Sequence, residues 1–354
     1  MTTLFRAHRS YLSRILFLSF LLATFITTNA CSGLFGTHKR VQVPQLLTPL
    51  ADADKDRLFQ EINRLATVKS IHGKVDLIFE DNSFAESGIA EKYKQADGTV
   101  TLQRPGEVYL VIQVPFIAKD IAQMTSDGEH FRVAILEGDE KFRRFVKGTN
   151  SAVYEKLDVD DKNDQQSKGD KKRMSEKLTV SALSNLRPQH LTDALMVPPI
   201  TPTDGLSYSQ SEFYQEELDT RPQAKKGTRI IRGYYLLEEI SAKGGDAKMV
   251  RRFWFDRVGG IRLARLQNFD DRGLLVTDVA YFDEKGFGEG GAKRLPARVE
   301  ITRPHDRYKL SISYQAPESV VLDREYRPEA FVLENKWQLP EVDLDSRQKT
   351  TNRD

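Results

Sequence analysis

A second cysteine is missing: Cys31 stands alone among 354 residues, so no disulfide forms within the chain. Also missing is a one-sided charge. The formal net charge is +2, and without Arg6, Arg9 and Arg14 the 53 Lys+Arg fall to 50 against 51 Asp+Glu, a net of −1. A near-neutral body with scattered charges offers no electrostatic footprint for nucleic acid, so none is expected as a partner. Catalytic and metal motifs are equally scarce. His72, His130, His190 and His305 fall on separate predicted elements, with no His-Glu-x-x-His pair, no ligand spacing and no Gly-x-Ser-x-Gly elbow. His130 beside Glu129 and His305 beside Asp306 read as turn or strand-end residues. The glycine-rich run 285–293 lacks the Gly-Lys-Ser/Thr order of a phosphate cradle and reads as a loop. The charged run 158–177 has paired acidic residues but lacks the spacing and terminal Glu of a calcium loop. The chain is therefore read as no enzyme, with no cofactor and no metal.

What is present begins at the N-terminus. Arg6 to Arg14 precede an apolar run, 15–26, then Thr28-Asn29-Ala30-Cys31, the layout of a secretory signal over residues 1–30. The lone Cys after it resembles a bacterial lipobox, although Thr28 stands where Leu is usual and Asn29 is atypical. That resemblance implies lipidation of Cys31; ordinary cleavage after Ala30 and an uncleaved anchor helix are the alternatives. Acyl chains contribute roughly 0.8 kcal/mol per buried CH₂, enough in number to hold a protein on a membrane. Ser32 after Cys31 resembles the outer-membrane default, which implies the periplasmic side of that membrane.

Residues 31–50, with Gly33, Gly36, Pro44 and Pro49, suit a tether. In 51–66 an Asp can cap a helix, and Leu58, Phe59, Ile62, Leu65 and Ala66 make an apolar stripe. Strands follow at 70–80 and 141–147 on either side of the stretch 97–135. Residues 158–177 carry almost no apolar side chain and read as a mobile charged loop. Helical spacing returns over 178–196 (Leu183, Leu186, Leu191, Leu195), with Pro188 fitting a helix start, so two short helices joining at Arg187-Pro188 are expected. A second β run is expected at 229–240, 249–256, 260–269, 274–282, 297–303 and 307–314, then a short strand or turn at 326–333. The polar tail 341–354 reads as disordered.

The stretch 97–135 organises the rest. Val100, Leu102 and Arg104 share one parity of a strand; Val108, Leu110, Ile112 and Val114 share one parity of the next. Later, Tyr308, Leu310, Ile312 and Tyr314 alternate with polar residues in the same way. These are the candidate lining residues of an interior. The turns are Arg104-Pro105-Gly106-Glu107 and Ser126-Asp127-Gly128-Glu129. Arg104 is the anomaly, because a charge on the apolar parity is costly unless paired. Either its head reaches solvent past the strand end, or buried acceptors meet it. The fold class is mainly β with α. One curved antiparallel sheet of about eleven strands, an unclosed barrel over 51–340, carries the helices of 178–196 as a lid over an interior site.

The Arg104-Pro105 strand end, the apolar strand after it, and Ser126-Asp127-Gly128-Glu129-His130-Phe131 resemble the LolA/LolB-like lipoprotein carrier superfamily. The helix and strand from Leu58 to Phe79 fit the same order, and the second β run does so more weakly. The resemblance implies a helix-capped half-barrel whose apolar cavity holds acyl chains of lipids or lipoproteins, with Arg104 as a latch hydrogen-bonded to the lid. A chain with its own anchor looks like the membrane-bound acceptor type, not a soluble shuttle. For that type's exposed apolar loop the nearest candidate is Val114-Pro115-Phe116-Ile117, whose pattern reads more simply as a buried strand end. The alternative function is an envelope scaffold or sensor that uses the same barrel to bind envelope proteins.

Overall fold

The computed structural model describes residues 43–81, 91–92, 95–116, 119–138, 140, 143–152, 154, 187–203, 205–242 and 246–346. The signal segment, Cys31, the loop 158–177, residues 178–186 of the expected lid and 347–354 of the tail lie outside them. The chain divides into two compact units, Met1–Gln45 and Leu46–Asp354. Only 43–45 of the first are described; the architecture below is that of the second.

A short strand β1 (Gln45–Leu46) is followed by helix α1 (Lys55–Ala66), β2 (Ser70–Asp81), β3 (Glu91–Lys92), β4 (Ala96–Gln103), β5 (Glu107–Gln113), β6 (Asp120–Asp127), β7 (His130–Ile135) and β8 (Arg144–Thr149). Helix α2 (Pro188–Leu195) comes next. Then follow β9 (Leu206–Leu218), β10 (Arg229–Ser241), β11 (Lys248–Asp256), β12 (Arg262–Phe269), β13 (Leu275–Phe287), β14 (Lys293–Arg303), β15 (Tyr308–Tyr314), β16 (Val321–Leu322) and β17 (Glu341–Asp343). The registers run neighbour to neighbour from β9 to β15, across to β2, then β4 to β8. Every one of these pairs is antiparallel; β17 adds to β8 in parallel. The sheet is mixed, curved and open, not a closed barrel.

Local chemistry explains the pieces. Asp54 caps α1 by accepting from the Arg57 N–H at 2.9 Å, and Leu58, Ile62 and Leu65 bury one helix face. In the opening hairpins Val100 lies opposite Leu110 and Leu102 opposite Val108. Across the β2–β15 seam Leu310 meets Phe79 and Ile312 meets Leu77. One apolar face therefore runs through both halves of the sheet, and α1 and α2 are the described helices packed on it. The opposite face of the first half is covered by the chain around Leu333 and Leu339, which packs on Ala134 and Phe145.

Several expectations need correction. The second β run starts at β9, which pairs with β10 along its whole length. It escaped pattern reading because its side chains are half-exposed or exposed throughout and mostly polar. The 285–293 loop is shorter than expected: β13 runs on to Phe287, β14 begins at Lys293, and a 3₁₀ turn, Glu289–Gly291, joins them. Gly286 lets the two strands close there, since a Cβ on it would sit 2.9 Å from the Gly291 Cα. Of the strand or turn expected at 326–333 the chain forms the turn, a 3₁₀ turn over Pro328–Phe331. The tail is ordered over 341–346. β17 pairs with β8, Leu344 is buried, and Lys147 Nζ contacts Glu341 at 3.1 Å. The tether ends before residue 50, because Leu47 N–H donates to Ile231 O at 2.9 Å and Leu47 is buried. Phe116 is fully exposed, so its segment is not a buried strand end.

Burial predicts the cost of truncation. Phe253 is fully buried in the core while Phe213 on β9 is 38% exposed. Phe253→Ala is expected to lower the unfolding free energy by about 3–5 kcal/mol, and Phe213→Ala by under about 1 kcal/mol, measured by urea denaturation.

Candidate functional site

The site is built where the apolar face meets α2. The strand β4 ends at Gln103, and Arg104 follows at the turn. The β4–β5 turn and the β6–β7 turn meet in space: Ser126 Oγ donates to Gly106 O at 3.2 Å and accepts from the Gly128 N–H at 3.1 Å. Gly128 has φ +95°, which glycine adopts without a Cβ penalty. The Asp127 carboxylate accepts from the His130 and Glu129 N–H groups at 2.7 and 3.1 Å. Desolvation alone would raise its pKa; these bonds, with Arg132, hold it below the usual carboxylate value.

That frame fixes the base of Arg104, whose guanidinium turns inward. Nε donates to Val68 O at 2.8 Å, Nη2 to Val197 O at 2.8 Å, and Nη1 to Met196 O at a long 3.4 Å. Val68, Met196 and Val197 are all buried. The cation thus joins the chain leaving α1 to the chain leaving α2. Burial draws its pKa down, but a guanidinium keeps its charge at any ordinary pH.

Other side chains hold α2 along its length. The buried Tyr281 on β13 donates to Ala194 O at 3.0 Å. His190 Nδ1 and the Tyr308 hydroxyl lie 2.8 Å apart. Arg187, just before the helix, stacks over Phe131 and Tyr154 at 4.8 and 5.1 Å from the ring centroids. Beyond the helix, Asn63 of α1 makes two bonds to Ile200, donating to its carbonyl at 3.3 Å and accepting from its N–H at 3.0 Å.

The candidate lining residues are brought together. Val100, Leu102, Val108, Leu110, Ile112, Tyr308, Leu310, Ile312 and Tyr314 are buried in one apolar cluster with Leu191 and Ala194 of α2. Val114 is the exception: it lies past the end of β5, is only partly buried and is not in that cluster. Tyr281, His190 and Asn63 were not anticipated. Tyr281 carried the same sign as Arg104, a polar group on the apolar parity with Val279.

The space under α2 is closed in this state. A cavity of about 20 Å³ lies among Val68, Leu195, Val197, Tyr281, Phe287 and Tyr314, room for about one water molecule. A larger recess of about 620 Å³ is lined by Tyr234, Trp254, Arg265, Asp278, Glu300 and Lys309. Its charges neutralise one another: Arg265 pairs with Asp278, Lys309 with Glu300 at 2.6 Å, and Arg232 with Asp256 at 2.8 Å. No unpaired charge in those contacts marks it for an ionic ligand.

No protein-family model matches the chain, and no curated protein matches its sequence. Solved structures similar to it include a DUF1329 family protein from Desulfovibrio piger, at 12% identity and TM-score 0.37, covering 78% of this chain and 95% of that one. Another is a LolA superfamily protein from Nitrosomonas europaea, at 11% identity and TM-score 0.37, covering 79% and 99%. A third is the domain of an outer membrane lipoprotein-sorting protein, so described, from Vibrio parahaemolyticus, at 9% identity and TM-score 0.37, covering 78% and 94%. At such scores the likeness carries no functional argument, and the reading below rests on the chain's own residues.

Removing the guanidinium leaves three buried carbonyls short of a donor. Arg104→Leu is expected to lower stability by about 1–3 kcal/mol and to raise amide hydrogen exchange across 190–197. Arg104→Lys, which cannot span the same acceptors, is expected to restore only part of the protection. Unaltered exchange in both variants would show that α2 is held without Arg104. His190 supplies a pH signature. Desolvation first, then Arg303 and Arg187, pulls its pKa well below the ordinary value. The unfolded chain therefore takes up this proton first as pH falls below about 6.5. The contribution is complete above that value and is lost as pH falls toward the folded pKa. The wild type is expected to lose stability between pH 7.5 and pH 5.5 more steeply than His190→Gln, read from urea midpoints.

Proposed function

We propose that this chain is a lipid-anchored envelope protein that takes acyl chains of lipids or lipoproteins between its apolar sheet face and α2, in lipoprotein sorting or lipid transport. The observation that carries the reading is the way α2 is attached. An eight-residue helix is too short to be stable alone. It lies on a broad apolar face, and it and the chain after it are tied by side-chain bonds from Arg104, Tyr281, Tyr308 and Asn63. Releasing those few bonds would bare contiguous apolar surface, which suits a chain-like, uncharged cargo. In this reading Arg104 is the lid latch, the inward residues of β4, β5 and β15 are the wall that cargo meets, and no residue acts as a catalyst.

Lipidation at Cys31 would hold the protein on the periplasmic side of the outer membrane, as the sequence before it suggests. The fully exposed Phe116, between β5 and β6, supports an acceptor working close to a membrane, since an aromatic tip can enter the interface without unfolding anything. The small closed cavity favours one rival, an envelope scaffold or sensor that binds other proteins through its barrel. One experiment separates the two. The mature protein, purified from a bacterial envelope, is extracted with organic solvent for bound lipid and titrated with a fluorescent fatty-acyl probe. Stoichiometric lipid or saturable uptake is the expected result. Neither lipid nor uptake would favour the scaffold.

A further inference from the structure

The Tyr314 hydroxyl has no hydrogen-bond partner among the described residues, and its side chain is buried. No protein group among the described residues replaces the hydrogen bonds this hydroxyl makes in bulk water, and the cavity beside it has room for about one water molecule. The other inward tyrosines are satisfied, Tyr281 by Ala194 O and Tyr308 by His190. Tyr314 is also the tyrosine that lines the small cavity without being committed to α2. Its ring is held in place. It meets Phe287 edge-on with centroids 5.0 Å apart, and Gly73 beneath it leaves no room for a side chain, a Cβ there being 3.6 Å from the ring and 2.8 Å from Val320.

The chemistry of the surroundings limits what this donor can serve. Apart from Tyr281, the cavity is walled by Leu65, Val68, Ile71, Leu195, Val197 and other apolar side chains. No cation among the described residues lines it, so a carboxylate or phosphate would be buried there without a counter-charge from them. A neutral acceptor attached to an apolar chain fits. Burial also pushes the Tyr314 phenol well above its ordinary pKa, so it remains a donor across all physiological pH.

We propose that Tyr314 is the polar end of the cargo site and donates its hydroxyl to the carbonyl oxygen of an acyl ester when α2 is displaced. The inference rests on the acyl-chain reading above and names the ligand class more closely: chains in ester linkage, in preference to ether-linked or plain alkyl chains. A ligand whose carbonyl accepts from Tyr314 removes the cost of the unpaired hydroxyl. An ether of equal length, a poorer and differently placed acceptor, leaves most of that cost standing. Specificity of this kind comes from a buried polar group that one ligand satisfies and another does not.

The test uses the full mature chain and two fluorescent glycerophospholipid probes of equal chain length, one diacyl and one dialkyl-ether. Wild type is expected to hold the diacyl probe about tenfold more tightly. Tyr314→Phe is expected to bind both probes at the ether level. Its urea midpoint should be unchanged or raised, which separates lost recognition from lost folding. Equal affinity of wild type for the two probes, or a preference that survives in Tyr314→Phe, would overturn the role of Tyr314 while leaving acyl binding intact. Failure of wild type to bind either probe would overturn the acyl-chain reading and this inference together.

Discussion

One guanidinium constrains how this molecule is put together. Arg104 emerges from β4 on the parity that buries Val100 and Leu102, and a charge there must be met by acceptors. The acceptors are backbone carbonyls from two places far apart in sequence, Val68 after α1 and Met196–Val197 after α2. These carbonyls belong to the chain just past each helix, where the backbone has left its helical pairing and a buried acceptor needs a donor from elsewhere. The misplaced cation and these acceptors thus answer each other, and both helix exits are fixed relative to the turn that carries Arg104.

The remaining contacts share that logic. Tyr281 and Asn63 also bind backbone atoms at or beyond the end of α2, so the segment 194–200 is held from three sides by side chains of the β4–β5 turn, β13 and α1. Apolar packing presses Leu191 and Ala194 onto the sheet, but it gives no direction of its own. The hydrogen bonds supply direction. None of these bonds belongs to a strand pairing, so releasing them would leave the sheet intact, as the proposed cover over a binding face requires.

The sequence revealed the sheet more readily than the site. One parity of 100–112 and of 308–314 is apolar throughout apart from Arg104, so inward residues such as Leu102, Leu110 and Leu310 were legible, as was the α1 stripe. The strand β9 was not: a strand whose side chains are half-exposed or exposed throughout has no apolar period to display. The start of α2 at Pro188 could be read from the proline, because a missing N–H costs nothing at a first turn. The anomaly at Arg104 was visible, but its partners were not. Main-chain carbonyls carry no signature in the sequence, so two readings of its head group stood open until Val68 and Val197 were located. Tyr314 was legible only as an inward-facing aromatic, and Tyr281 was not singled out. Which of them has a partner is a property of the fold.

The central claim is that α2 moves off the sheet to admit an acyl chain. It is tested most directly by a distance across the lid. Spin labels at Gln189, exposed on α2, and at Glu129, exposed in the β6–β7 turn, report that separation by pulsed electron resonance without disturbing the core. The account requires one narrow distance in the ligand-free protein and a second, longer population that grows as acyl lipid is added. A single distance that stays unchanged in lipid-saturated protein would contradict it.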